Sequence, residues 1–121
     1  MQRKQSDALI VHCSDPRFQS AHRDLIDLNC NYYDLLAFPG ASKAIAENQL
    51  VVDNIVLLHS LHGFETIHIF DHVHCGAFGD VTDEDGAHKA MIKEAEAALN
   101  KTLPKVTVIG HLVGQKAAVK L

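Results

Sequence analysis

Two short motifs in this chain carry residue types that bind transition metals. Cys13 comes at the end of the apolar run 8–11, and His72 and Cys75 come at the end of the apolar run 67–70. Runs of this length are typical of strands buried in a parallel sheet, and the carboxyl ends of neighbouring parallel strands meet at one sheet edge. We therefore expect the two thiolates and the imidazole to lie together. They would bind Zn²⁺ with the fourth position open, as in catalytic zinc sites.

Asp15 and Arg17 follow Cys13 in the same loop and add a carboxylate and a guanidinium to the predicted site. A carboxylate two residues from a metal thiolate can orient metal-bound water, or it can bind the metal itself. An arginine beside it can hold that carboxylate in a bidentate pair. Because Zn²⁺ lowers the pKa of bound water to about 7, the loop predicts a site that activates water at neutral pH.

The elements that must position these residues alternate between strands and helices. The pattern predicts strands at 8–12, 32–38, 66–71, 105–111 and 117–121, and helices at 20–29, 44–62 and 87–100. Such alternation favours an α/β fold: an open, mainly parallel four-stranded sheet in the order 2-1-3-4, with a short antiparallel C-terminal edge strand and helices on both faces. That order puts both motifs where the strand order reverses, which is where such sheets bind ligands.

The helix predicted over 44–62 is apolar on more than one face. Two stripes run along it, one made of Val51, Ile55 and Leu58 and the other of Leu50, Leu57 and Leu61. A helix that is apolar over so wide an angle is typically buried on two sides. We expect its own sheet to cover one stripe and a partner subunit to cover the other.

Length, charge and cysteine usage bound the class of protein. With 121 residues and a net charge of −4, we expect a single domain over 1–121 and no nucleic-acid partner. No apolar tract approaches the length of a membrane span. The three cysteines, with no export signal, predict reduced thiols in the cytoplasm. The acidic loop 80–86 lacks the ligand pattern of a calcium site and is expected to be solvated.

Taken together, the two motifs resemble those of the β-class carbonic anhydrases. The family pattern Cys-x-Asp-x-Arg is present at 13–17 and His-x-x-Cys-Gly at 72–76, at a separation similar to the family's. The resemblance extends over nearly the whole chain.

This resemblance implies a zinc lyase that hydrates carbon dioxide reversibly to bicarbonate and a proton by zinc-bound hydroxide. It implies that Asp15 and Arg17 orient the zinc-bound water and that the zinc ligands are Cys13, His72 and Cys75. We expect a homodimer or a higher homo-oligomer.

The chain departs from the family pattern around the predicted site. Only twelve residues precede Cys13, so the N-terminal helical arm that wraps a partner subunit in the family is expected to be missing. Residues 37–42 replace a segment rich in arginine and asparagine, of which Gly40 and its turn survive. Pro16 stiffens the first motif. The metal ligands are complete, whereas the surroundings that admit substrate are altered.

Two other functions remain open from the sequence. The same zinc site could act on carbon disulfide or carbonyl sulfide, for which Phe38, Phe70 and Phe78 near the strand ends would form an apolar access path. Alternatively, the chain could be a non-catalytic module that holds zinc or a small ligand. The short N-terminus and the altered segment 37–42 motivate this alternative, which predicts a closed four-ligand shell with Asp15 on the metal.

Overall fold

The computed structural model describes residues 6–114 and 118–121. The strands are β1 (Ala8–His12), β2 (Tyr33–Ala37), β3 (Thr66–His72), β4 (Thr107–Val113) and β5 (Ala118–Lys120). The helices are α1 (Gln19–Asn29), α2 (Ser42–Glu47), α3 (Gln49–His62) and α4 (Glu84–Asn100). Short 3₁₀ turns at Pro16–Phe18 and Gly76–Phe78 occupy the loops after β1 and β3.

The strands form one sheet in the order β2-β1-β3-β4-β5. The first four are parallel, and β5 pairs antiparallel with β4. Every residue of β1 is buried, because this strand has a neighbour on each edge and helices on each face. The predicted α/β class and the order 2-1-3-4 are confirmed. Residue 117, at the start of the predicted closing strand, lies outside the described residues.

Helices cover both faces of the sheet, as the alternating pattern predicts. One face packs against α2, α3 and α4, and the opposite face packs against α1 and the turn before it. The first core contains Leu9, Val11, Ile67 and Ile69 from the strands, with Ile45, Ile55 and Leu99 from the helices. The second contains Ile10 and Phe70 from the strands, with Phe18 and Ile26 from the α1 side.

The prediction of a single helix over 44–62 is wrong, because the segment is divided into two helices, α2 and α3, at Asn48. Asn48 has an extended backbone (φ −133°, ψ 107°). Its side-chain oxygen accepts a hydrogen bond from the Leu50 amide at 3.0 Å. Asparagine is a favoured N-cap residue, because its side chain satisfies an otherwise unpaired amide of the first turn. The helix ends as expected at Gly63, whose φ of 66° is left-handed.

The two apolar stripes of α3 have different environments. Val51 and Ile55 are buried against the sheet. The second stripe is on the surface, with Leu50, Leu57 and Leu61 exposed by 70%, 56% and 45%. The stripe is therefore free to meet another molecule. Within the described ranges, no helix combines the length and the apolar character needed to cross a membrane.

α4 begins three residues earlier than predicted, at Glu84. Asp83 supplies the N-cap, since its carboxylate accepts a hydrogen bond from the Gly86 amide at 3.0 Å. The end of the acidic loop is therefore the first helical turn, where negative side chains complement the helix dipole.

Candidate metal centre

The ends of β1 and β3 bring Cys13, His72 and Cys75 together. The two strands are parallel neighbours with His12 opposite Phe70, so the residues that follow them meet at one edge. One ligand atom from each of the three residues lies within 4.8 Å of the other two. The two sulfur atoms are 3.9 Å apart, and all three side chains are buried. Over the described ranges, this is the one group of three or more potential metal ligands.

His72 is arranged as a metal ligand. Its Nδ1–H donates to the Val73 carbonyl oxygen at 2.8 Å, which leaves Nε2 with a free lone pair. That Nε2 is buried and has no hydrogen-bond partner in the described structure. The ring of Phe18 stacks on the imidazole at 4.2 Å and fixes its plane. A buried nitrogen without a partner requires an explanation, and a zinc ion held by two sulfurs and this nitrogen fits the donor set.

The two thiols share a proton when no cation lies between them. The pKa of Cys13 is lowered to about 3, chiefly by the hydrogen bond from Cys75, although burial opposes the shift. The same hydrogen bond raises the pKa of Cys75. The Gly40 amide also donates to Cys13 Sγ at 3.4 Å. Because metal ligation requires thiolates, a divalent cation would take the place of the shared proton.

Within the segment 37–42, Gly40 contacts the candidate ligand Cys13. Its φ of +81° lies in the left-handed region, and a Cβ added to it would lie 3.0 Å from the Ala77 Cβ and 3.3 Å from the Lys43 Cβ. Both the conformation and the space therefore favour glycine. The turn after β2 uses this freedom to point the Gly40 amide at the Cys13 sulfur.

Asp15 and Arg17 form the bidentate pair that the sequence suggests. Arg17 Nε lies 3.1 Å from Asp15 Oδ1 and Arg17 Nη2 lies 2.7 Å from Asp15 Oδ2. The Arg17 amide donates to Oδ1 at 2.9 Å. Arg17 lowers the pKa of Asp15 to about 2. Asp15 Oδ2 also lies 3.6 Å from His72 Nε2, so an ionised carboxylate borders the three candidate ligands.

Arg17 also ties the first motif to the second. Its Nη2 donates to the His74 carbonyl oxygen at 3.1 Å. His74 has a left-handed φ of 55°, and its amide donates to Glu84 Oε1 at 2.7 Å. The His74 side chain is 78% exposed, so it points away from the candidate ligands. The first turn of α4 therefore helps to hold the loop that carries Cys75.

Of the phenylalanines suggested for an access path, Phe78 is next to the candidate ligands, since its amide donates to the Cys75 carbonyl oxygen at 3.1 Å. Phe38, Phe70 and the remaining cysteine, Cys30, lie outside the candidate ligand cluster. Cys30 follows α1 and is half-buried. Phe70 is buried on the α1 face of the sheet. Phe38 packs on the opposite core, and Phe78 packs on His88 with ring centroids 4.0 Å apart. The three phenylalanines therefore do not form one group beside the metal centre.

Sequence reasoning missed a buried polar network directly behind His72. Asp71, 1% exposed, accepts hydrogen bonds from the Ser42 amide at 3.0 Å and from the Ser42 hydroxyl. His88 Nδ1 donates to Asp71 Oδ2 at 2.7 Å. The network joins the end of β3 to α2 and α4. The one signal in the sequence is a carboxylate inside an apolar strand, since such a group is buried only when it is paired.

Asp71→Asn is expected to lower the free energy of unfolding by about 2–3 kcal/mol. The amide nitrogen would face the Ser42 amide if it replaced Oδ1, or the Ser42 hydroxyl and His88 if it replaced Oδ2, so either placement leaves a buried donor without its acceptor. Urea unfolding monitored by circular dichroism would measure the loss. Asp53→Asn is the matched control, because Asp53 is exposed on α3 and accepts a hydrogen bond from its helical neighbour Gln49. Equal stability of the two variants would show that the network does not hold β3.

His22 is a second buried polar side chain, on α1. It is 0% exposed, and neither ring nitrogen has a hydrogen-bond partner in the described structure. Its ring stacks on that of His12 with centroids 4.4 Å apart. Burial, and then the charge of His12, lower the pKa of His22 from 6.5 to about 4. The folded protein therefore resists protonation of His22 more than the unfolded chain does.

From this shift we expect acid to weaken the fold. As the pH falls from 6.5 towards 4, the unfolded chain binds a proton at residue 22 before the folded protein does. Stability is therefore full above the unfolded pKa and falls by about 2 kcal/mol between pH 7 and pH 5. His22→Phe, which keeps a ring and removes the unpaired nitrogens, should make the slope shallower by that amount. The part due to His111, whose pKa burial also lowers to about 4, should remain. Urea unfolding of metal-free protein at both pH values checks it, and an unchanged slope would refute the assignment to His22.

Comparisons with known proteins identify a family for the chain. The family described as "Putative carbonic anhydrase" matches residues 3–121. No curated protein sequence matches the chain.

Several solved structures share the fold. The carbonic anhydrase from Streptococcus mutans is 15% identical, with a TM-score of 0.72 over 98% of this chain and 82% of that one. The β-carbonic anhydrase isoform I from Trichomonas vaginalis is 16% identical, with a TM-score of 0.68 over 99% of this chain and 84% of that one. The carbonic anhydrase from Glaciozyma antarctica is 17% identical, with a TM-score of 0.68 and the same coverage.

These structural similarities establish a shared fold. The family match extends over almost the whole chain and includes both motifs. The chain belongs to the carbonic anhydrase family, as a divergent member with the β-class fold.

Proposed function

We propose that this chain catalyses the zinc-dependent, reversible hydration of carbon dioxide to bicarbonate and a proton. One observation carries the proposal. Three buried ligands of the catalytic zinc type, Cys13, His72 and Cys75, lie beside an ionised carboxylate, that of Asp15. The family membership and the β-carbonic anhydrase fold support the same reaction.

The bound zinc would act as a Lewis acid that makes water nucleophilic near neutral pH. Asp15 would accept a hydrogen bond from the attacking water and so direct an oxygen lone pair at the carbon of carbon dioxide. Because its pKa is about 2, Asp15 is too weak a base to keep the proton, which passes to buffer. Its role is orientation.

Arg17 would act through Asp15. Its bidentate hydrogen bonds fix both carboxylate oxygens, and its bond to the His74 carbonyl anchors the guanidinium to the second motif. A fixed carboxylate holds the water in one orientation, which lowers the entropic part of the barrier. The Val73 carbonyl oxygen would orient His72 in a similar way, because its hydrogen bond fixes the tautomer that leaves Nε2 free.

The reaction can be tested against the two alternatives in one set of assays. Zinc-loaded protein would be assayed for hydration of carbon dioxide by stopped flow, and for release of hydrogen sulfide from carbon disulfide and from carbonyl sulfide. We expect carbon dioxide to be the best substrate by kcat/KM. Faster turnover of either sulfur compound would reassign the substrate. Stoichiometric zinc with no turnover of any of the three would identify a non-catalytic zinc module.

A reducing compartment such as the cytoplasm suits this site. Two of the three proposed ligands are cysteines, which bind zinc only when they are reduced and deprotonated. Cys13 Sγ and Cys75 Sγ are close enough to interact directly at 3.9 Å, so oxidation would compete with metal binding.

We also propose a homodimer that uses the exposed stripe of α3. Leu50, Leu57 and Leu61 expose large apolar side chains along one helix, and exposed apolar surface of this kind can mark an interface. Leu57→Glu is expected to weaken self-association at least tenfold, an effect of about 1.4 kcal/mol or more. Sedimentation velocity measures it. Leu28→Glu is the matched control, since Leu28 is 82% exposed on α1. A monomeric wild type, or equal effects of both variants, would contradict the interface.

A further inference from the structure

A cavity of about 240 Å³ lies on the face of the sheet that α1 covers. Its apolar walls include Ile10 of β1, Leu25 of α1 and Phe70 of β3. It shares no lining residue with the candidate metal centre. A space of this size beside the core is large enough for a small molecule, and nothing in the proposed reaction uses it.

A pair of histidines forms the polar end of this cavity. His68 Nδ1 and His111 Nε2 lie 3.0 Å apart, which is a hydrogen-bond distance. Phe70 stands opposite His111 in the β3–β4 register, and their rings stack at 4.4 Å with an angle of 9°. In such a pair one ring donates and the other accepts, so one further ring N–H is left for a third group. The stacking on Phe70 holds the His111 ring in place.

The cavity carries a positive charge and no described negative one. Lys120 on β5 is opposite His111 in the antiparallel register and lines the cavity, whereas no carboxylate is among the described lining residues. Burial, and then Lys120, lower the pKa of His68. Burial, His68 and Lys120 lower the pKa of His111 to about 4. At neutral pH the rings are neutral hydrogen-bonding groups and the ammonium supplies the charge.

We propose that this cavity binds a small carboxylate with an apolar body. The carboxylate would accept hydrogen bonds from the Lys120 ammonium and from the histidine pair, and the body would contact Ile10, Leu25 and Phe70. Apolar walls with a few convergent polar groups are typical of small-molecule sites. A buried anion needs an opposite charge and donors, and the cavity offers both. The proposal is independent of the metal centre and of the reaction there.

Benzoate is a suitable probe, because it joins a carboxylate to an apolar ring. It would be titrated into zinc-loaded protein with isotope-labelled imidazoles, followed by nuclear magnetic resonance. We expect saturable shifts of the His68 and His111 signals. Benzamide, which has the same shape and no charge, should bind at least about tenfold more weakly.

Two variants and one control test whether benzoate binds in the cavity. Lys120→Gln should weaken benzoate binding about tenfold, whereas Lys101→Gln, which changes an exposed lysine at the end of α4, should leave it unchanged. Leu25→Trp should fill the cavity and abolish the shifts. The proposal is overturned if benzoate shifts neither His68 nor His111, if it shifts only His72, or if Lys120→Gln binds it as tightly as the wild type does.

Discussion

Replacing Cys13 with alanine is expected to abolish zinc binding and carbon dioxide hydration together. The substitution removes one of three ligand atoms that lie within 4.8 Å of one another. It also removes the acceptor of the Gly40 amide. Loss of an outer partner of a zinc ligand commonly costs roughly 10–100-fold in affinity or activity, so loss of a ligand itself should exceed that range. The remaining sulfur and imidazole would hold the metal weakly.

Cys30→Ala is the matched control for this experiment. Cys30 is half-buried after α1 and belongs to no ligand cluster within the described residues. Zinc content would be measured by elemental analysis after dialysis, and hydration by stopped flow. We expect one zinc per chain and full activity in the Cys30 variant, with neither in the Cys13 variant. Retention of one tightly held zinc by Cys13→Ala would place the metal elsewhere.

Asp15→Asn is expected to lower the hydration rate by roughly 10²-fold, because the water loses its fixed orientation, while the zinc content stays at the wild-type level. The amide replaces one carboxylate oxygen with a donor. At Oδ2 this donor would face Arg17 Nη2, now at 2.7 Å, and at Oδ1 it would face the Arg17 amide, so either placement breaks the pair that fixes the side chain. The side chain would also lose the negative charge that makes it a strong acceptor for the attacking water. Since Asp15 is ionised down to about pH 2, this effect should be the same across the neutral and mildly acidic range.

The control for Asp15→Asn is Asp24→Asn, which changes an exposed carboxylate on α1. Arg17→Gln should reproduce most of the loss, and the double variant should be no worse than the more damaging single one, because the two residues act as a unit. Full activity of Asp15→Asn would show that Asp15 has no role in the reaction. Loss of zinc from Asp15→Asn would make it a metal ligand and favour the closed shell of a non-catalytic module.

The sheet and the ligand cluster could be predicted because both follow from local patterns. β1 ends at His12, directly before Cys13, and β3 ends at His72 itself. A parallel sheet places such strand ends at one edge, so the ligand set follows once the two strands are neighbours. The Asp15–Arg17 pair is equally local, because two residues of one turn have side chains within hydrogen-bonding reach of each other.

The parts that could not be predicted depend on contacts between distant segments. Ser42 and His88 reach Asp71 from 29 and 17 residues away, and no local pattern links them. The pairing of His68 with His111 depends on the β3–β4 register. The break at Asn48 also could not be predicted, because the apolar stripes on both sides of it favour one continuous helix.

The most direct test of the metal centre is stopped-flow hydration of carbon dioxide by zinc-stripped protein as zinc is added back. The proposed function predicts no activity above the uncatalysed rate in stripped protein, and a linear rise that stops at one zinc per chain. A fully zinc-loaded protein that hydrates carbon dioxide no faster than the Cys13→Ala variant would contradict it.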